Sequence, residues 1–162
     1  MKKTTANEPW RDPAIGPCAC SQLRRTSRAV SALYDDFLSP ADLTVTQYAL
    51  LVSIARSGAI QRTQLSGELG MERTTLTRNL RPLEREGWVA ERAGVDRREH
   101  MLYLTASGRR RLEKGFTCWT NAQQAFLQQF GSERMDELRT LLLAAANVSR
   151  STTRPVDHAK KS

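Results

Sequence analysis

The stretch TQLSGELGMERTTLTRNLRPLEREGWVAERAGVDRREHMLYLT, residues Thr63 to Thr105, decides the fold. Its period changes along the way. Thr63 to Leu69 reads as a short helix, with Thr63 as its cap and Gly70 as a left-handed stop. Arg73 to Glu86 reads as a second helix, ended by Gly87. Pro82 lies inside it, removes the bond to the Arg78 carbonyl and is expected to bend the C-terminal half. The period then drops to two. Val89 to Arg92 and Glu99 to Leu104 flank Gly94-Val95-Asp96-Arg97-Arg98, the pattern of a β-hairpin with a basic tip.

At 100° per residue, Leu76, Leu80 and Leu83 fall in one narrow sector of the second helix and must face a core. Thr74, Thr77, Arg78, Arg81 and Arg85 fall opposite. Arginine can fork onto guanine or phosphate, and threonine can donate to phosphate or touch a thymine methyl. Arg73, Thr74 and Thr75 also sit where free backbone amides favour phosphate. Arg85, near the far end, is a phosphate contact or a solvated charge. Any one of these side chains alone reads as a solvated helix face; together, and followed by a basic hairpin, they do not. This order of elements is that of a winged helix-turn-helix, which offers one helix to a DNA groove and an arginine-tipped loop to the next. The expected DNA-facing residues are Arg73, Thr74, Thr75, Thr77, Arg78 and Arg81 on the helix and Asp96, Arg97 and Arg98 on the wing. An arginine on a narrow loop suits the minor groove, and Asp96 is placed to brace Arg98 by a forked pair.

Bulk properties agree. The chain has 162 residues and a formal charge of +8, which fits a polyanionic partner, nucleic acid or anionic membrane. No segment approaches the ~20 apolar residues that span a bilayer, and the N-terminus lacks the apolar core of a signal peptide. A cytoplasmic location follows, with Cys18, Cys20 and Cys118 reduced at rest.

The expected fold class is mainly α with a small β-wing: a winged helix-turn-helix at 46–105, flanked by dimerisation helices at 21–45 and 106–149. Residues 1–20 form a flexible arm carrying Cys-x-Cys, and 150–162 a disordered tail. The first helix, Ser21 to Leu38, has Leu23, Val30, Leu33, Tyr34, Phe37 and Leu38 on one face. Thr46 to Ser57 follows, with Thr44 and Gln47 at capping-box spacing. Thr105 caps a long helix to Phe130, where Leu112, Phe116, Trp119, Gln123, Phe126 and Phe130 alternate by four and three. Ser132 starts a last helix carrying Met135, Leu138, Leu142 and Ala145. Either these stripes pair two chains or they pack within one; the spare stripe on the terminal helices favours a homodimer.

The chain resembles the MarR family of winged-helix transcription factors. The matching residues are Thr75-Leu76-Thr77, Leu80, Leu83-Glu84, Gly87, Arg92, Asp96-x-Arg98, Leu104-Thr105 and Gly108, and the resemblance covers about residues 21 to 148. It implies an obligate homodimer on a near-palindromic operator, usually a repressor, released by a ligand or an oxidant. In that pattern Arg98 is the groove arginine, Asp96 its brace and Arg97 a backbone contact.

Three readings of the signal stay open. Cys20 sits near a helix N-terminus with Arg24 and Arg25 one turn on, which favours thiolate. Cys18 and Cys20 could oxidise through sulfenic acid to a strained, labile disulfide. The pattern also looks like the organic-hydroperoxide-sensing branch of the family, in which Tyr34 would hydrogen-bond the reactive cysteine and Cys118 would be a resolving partner. Alternatively, Cys18 and Cys20 with Cys118 or His100 could hold a soft metal ion, or the cysteines are incidental. The third reading is a small aromatic or carboxylate effector. The family resemblance places it in a cleft that Arg24, Tyr34, Tyr48, Trp88, Phe116 and Trp119 could line, unless these aromatics are simply core. No cofactor is expected. A thiol-dependent enzyme is the remote alternative, since no histidine neighbours Cys20 and no Cys-x-x-Cys or phosphate loop is present.

Overall fold

The computed structural model describes residues 18–94 and 99–151, the last three as backbone. The chain divides into two compact units, one ending at Trp119 and one beginning at Thr120.

The first unit opens with α1, Ala19–Leu38, and a 3-10 turn at Ser39–Ala41. Then come α2 (Val45–Ser57), β1 (Ile60–Gln61), α3 (Arg62–Leu69), α4 (Arg73–Arg85), β2 (Val89–Ala93), β3 (His100–Leu104) and the first half of α5 (Ala106–Phe130). The strands form an antiparallel sheet in the order β1-β3-β2. Ile60 and Glu91 both lie opposite Leu102, so β3 is the central strand.

Local chemistry sets most boundaries. The Thr44 hydroxyl and the Gln47 side chain cap α2 reciprocally. The Asp35 carboxylate accepts the Val45 N–H at 2.6 Å, adding a negative charge at the positive end of α2. Gly70 takes the left-handed conformation (φ 60°) that ends α3. The Ser66 hydroxyl donates to the Met71 carbonyl and tightens the turn into α4. The core gathers Leu50, Leu51 and Ile54 of α2, Leu65 of α3, Leu76, Leu80 and Leu83 of α4, and Leu102 of β3. Each fully buried side chain of this kind contributes roughly 1.5–3 kcal/mol.

Several expected boundaries move. The Gln22 N–H already donates to the Cys18 carbonyl, so α1 starts at Ala19 with Cys18 as its N-cap. The arm therefore ends before Cys18, and Cys20 is helical. Val45 belongs to α2. Thr63 is not a cap: Ile60-Gln61 forms a strand, and Gln61 with Gln64 makes the capping box of α3. That strand was not expected, because two residues are too short to show a period. Glu86 is the C-cap of α4 and lies outside it. The hairpin strands are Val89–Ala93 and His100–Leu104. Residues 150 and 151 continue α6 rather than starting a tail. The arm and tail expected for 1–17 and 152–162 lie outside the described residues.

α5 joins the end of α4 by an unusually close approach. The Thr105 hydroxyl donates to the Gly87 carbonyl at 2.6 Å and accepts the Gly108 N–H at 3.1 Å. The Ser107 hydroxyl donates to the same carbonyl at 2.8 Å. A Cβ at Gly108 would sit 2.0 Å from the Trp88 carbonyl oxygen, so only glycine fits. Arg111, one turn on, lies 4.4 Å over the Trp88 ring and donates to the Ala41 carbonyl and the Asp42 carboxylate, both at 2.7 Å.

The second unit holds the rest of α5 and α6, Ser132–Ser151, joined at Gly131 (φ 91°). The Phe126 and Phe130 rings lie 5.2 Å apart. On α6, Leu141, Leu142, Leu143 and Val148 are exposed.

Candidate nucleic-acid interface

Helix α4 is divided as the sequence requires. Leu76, Leu80 and Leu83 are buried, while Arg73, Thr74, Thr77, Arg78 and Arg81 are exposed. Thr75 departs from this face: it is half-buried beside Leu76 and presents only part of its side chain. The exposed Thr77 donates its hydroxyl to the Arg73 carbonyl at 2.9 Å, which ties the side chain back to the helix and leaves the oxygen free to accept. No carboxylate among the described residues pairs with Arg73, Arg78 or Arg81, whereas Arg85 is paired with Glu86 at 3.4 Å. Three guanidinium groups without a counter-ion among the described residues thus share the exposed side of a 13-residue helix, Arg73 in its first turn beside the N-terminal amides. Phosphate and base-edge acceptors are the natural complement of that arrangement.

Beyond Gly87 the chain enters the hairpin. Arg92 lies 5.1 Å over the Tyr103 ring, across the β2–β3 pair. Arg62, at the start of α3, reaches Glu84 of α4 at 2.6 Å and Glu91 of β2 at 3.0 Å. Asp96, Arg97 and Arg98, expected at the hairpin tip, lie outside the described residues.

A profile of the MarR family matches residues 43–100, the span from α2 through the start of β3. In the crystal structure of the transcriptional regulator MosR from M. tuberculosis in complex with DNA, the protein is 36% identical to this chain. That match covers 83% of this chain and 99% of MosR, with a TM-score of 0.71.

The chain belongs to the MarR family.

Two further likenesses agree. An uncharacterised HTH-type transcriptional regulator of Bacillus subtilis, YwoH, is 26% identical over 112 residues, 69% of this chain and 82% of that protein. A mutant MarR from E. coli complexed with operator DNA shares the fold, with a TM-score of 0.74 at 23% identity over 86% of this chain and 99% of that one. These relatives are transcriptional regulators, not enzymes, and this MarR-family chain is a transcriptional regulator with them.

The residues considered for sensing fall in separate places. All three cysteines are free thiols; Cys18 and Cys20 are exposed, and Cys118 is half-buried against the core. The first-turn amides favour Cys18 rather than Cys20, because Cys18 occupies the N-cap. The Ser21 N–H, the Ser21 hydroxyl and the Cys20 N–H hold its thiol below the ordinary value, although no formed cap bond fixes the sulfur. Tyr34 is buried, and burial pushes its phenol pKa up, so it remains a hydroxyl at neutral pH. Among the described residues no three His, Cys, Asp or Glu side chains converge as a metal site would require, so neither Cys118 nor His100 joins Cys18 and Cys20.

The expected ligand cleft is only partly assembled. Tyr48, Phe116 and Trp119 do line one cavity, of about 820 Å³, between α2, α3 and α5. The Tyr48–Trp119 and Phe116–Trp119 ring pairs stack at 5.9 and 6.3 Å. Arg24, Tyr34 and Trp88 do not line it: Arg24 is on the exposed half of α1, Tyr34 is in α1, and Trp88 is buried under Arg111. Arg56 supplies the cleft's guanidinium instead, with Glu68 and Glu113 as carboxylates. The buried Ser53 donates to Glu68 at 2.5 Å and so ties α2 to α3. Burial raises the Tyr48 phenol pKa, with the Arg56 charge pulling the other way. Sequence reasoning missed Arg56, Glu68, Glu113 and Arg62, because isolated charges on helices read as solvated faces.

Proposed function

We propose that this protein is a homodimeric repressor that reads a near-palindromic operator in the cytoplasm. Its two α4 helices enter successive major grooves, and the hairpin tips, with Arg98 foremost, reach the flanking minor grooves. The observation that carries this reading is the outward face of α4: Arg73, Arg78 and Arg81, without carboxylate partners among the described residues, alongside Thr74 and Thr77. Arg73 and Thr74 are the first-turn base or phosphate readers, and Arg78 and Arg81 follow one and two turns on. The DNA complex of MosR supports the same use of the fold. The exposed leucines of α6 and the exposed Leu23 of α1 supply apolar area for pairing two chains.

Release belongs to a small aromatic effector stacking on Tyr48, Phe116 and Trp119, its carboxylate or phenolate facing Arg56. The second route is oxidation at Cys18 and Cys20, favoured by the lowered thiol pKa of Cys18. Selection of binding sites from a randomised duplex library tests the proposal. The expected result is a near-palindromic site with half-sites about one helical turn apart. Retention of DNA without any enriched sequence would overturn it.

A further inference from the structure

Arg62 is the one described cation that joins three structural elements by ion pairs. It is the first residue of α3 and follows β1 directly. A single guanidinium nitrogen, Nη2, donates to Glu84 Oε1 at 2.6 Å and to Glu91 Oε2 at 3.0 Å. Glu84 lies on α4 just past Pro82, and Glu91 lies in the middle of β2. The other oxygen of Glu91 faces His100 Nδ1 of β3 at 3.6 Å.

The sheet explains why this contact is unusual. Ile60 of β1 and Glu91 of β2 flank Leu102 of β3. An arginine placed right after β1 therefore bridges from one edge strand past the central strand to the other. It ties that far strand to the reading helix at the same time. Arg62, Glu84 and Glu91 side chains are all about one-third exposed (34%, 31% and 32%), so water competes only partly for the pairs. Burial works against the Arg62 charge, but the hydrogen bonds and charges of Glu91 and Glu84 outweigh it and raise its pKa. The cation is permanent.

A pair of exposed ions would contribute little to stability. Here the value is geometric. β1 and the buried Val89, Leu102 and Leu104 hold the base of the hairpin, whereas Glu91 to Ala93 of its outer strand are exposed and Arg62 is what ties that strand to α4. We propose that Arg62 is a positioning residue for DNA binding: it fixes the β2–β3 hairpin against α4, so that wing and reading helix meet DNA at one set spacing. This rests on the DNA-binding reading above. It differs from a phosphate contact because the guanidinium is already committed to two carboxylates.

The test uses Arg62→Met, Arg62→Lys, Glu91→Gln and the Arg62→Met/Glu91→Gln double variant of the full chain. Affinity for the library-selected duplex is measured across a salt series. Arg62→Met should bind roughly three- to thirtyfold more weakly, the range of mutations that act without touching the ligand. Arg62→Lys should restore part of the loss. The slope of log affinity against log salt should stay at the wild-type value, whereas a lost phosphate contact lowers it by about one. The double variant should be no weaker than Arg62→Met, because both changes break one link. Unchanged affinity, a slope reduced by about one, or additive losses would each overturn the proposal. Hydrogen exchange without DNA separates it from the DNA-binding reading. Arg62→Met should speed exchange in Val89–Ala93 and His100–Leu104 while α2 keeps its protection. Unaltered strand exchange would refute the positioning role whether or not the protein binds DNA.

Discussion

Replacing Gly108 by alanine probes the joint between α5 and the end of α4. Alanine is the better helix former, and on propensity alone the change would stabilise the first turn of α5 by up to about 1 kcal/mol. The new Cβ, however, would lie 2.0 Å from the Trp88 carbonyl oxygen and 3.2 Å from its Cα. Carbon and oxygen need more than about 3 Å, so one backbone segment must retreat by over an ångström. Retreat opens the Thr105 and Ser107 bonds to Gly87, at 2.6 and 2.8 Å, and the seat of Arg111 on Trp88. Overpacking against backbone costs about 1–3 kcal/mol, and each lost hydrogen bond about 1 kcal/mol. A net loss of about 2–4 kcal/mol is expected. Gly67→Ala in α3 is the control, since nothing lies within 4 Å of its added Cβ, and it should be neutral or slightly stabilising. Urea melts at matched concentration measure both. If Gly108→Ala proved as stable as Gly67→Ala, the close approach would not exist and the joint would be held otherwise.

Arg111→Met should cost about 1–2 kcal/mol, from the lost contact over Trp88 and the bonds to Ala41 and Asp42; a melt superimposable on wild type would contradict this. In a Cys20→Ser/Cys118→Ser background, iodoacetamide should alkylate Cys18 with a pH midpoint below 9.0. A depressed pKa keeps the thiolate present to lower pH, so a midpoint at or above 9.0 would refute the N-cap effect. Binding of 2-naphthoate should quench tryptophan fluorescence, and the response should vanish in Trp119→Phe and weaken several-fold in Arg56→Ala. A response indifferent to both changes would move the effector out of the cleft lined by Tyr48, Phe116 and Trp119.

Helix α4 was legible because its chemistry is periodic. Leucines three and four apart can only face a core, and the wheel then places Arg78 and Arg81 outward without knowledge of any neighbour. Thr44 with Gln47, Gly70 and Gly87 likewise carry their meaning in adjacent residues. What the sequence did not reveal depends on partners far along the chain. β1 exists only because Leu102 of β3 lies opposite Ile60. Gln61 displaces Thr63 as a cap because that strand ends there. Arg56 replaces Arg24 in the cleft because α2, not α1, lines it with α3 and α5. Cys18 gains the helix amides intended for Cys20 because α1 begins earlier than its apolar stripe does. In each case a side chain's role is set by tertiary placement, which local pattern does not encode.

If the outward face of α4 reads DNA, two of its arginines should respond differently to truncation on the library-selected duplex. Arg78 has no carboxylate partner among the described residues, whereas Arg85, nearer the C-terminus, is paired with Glu86 at 3.4 Å and its side chain is 77% exposed. Fluorescence anisotropy at physiological salt should show Arg78→Ala weakened by about 1–3 kcal/mol, and Arg85→Ala within about 0.5 kcal/mol of wild type. Wild-type affinity for Arg78→Ala, in a protein that still selects its site, would show that this face of α4 does not read DNA.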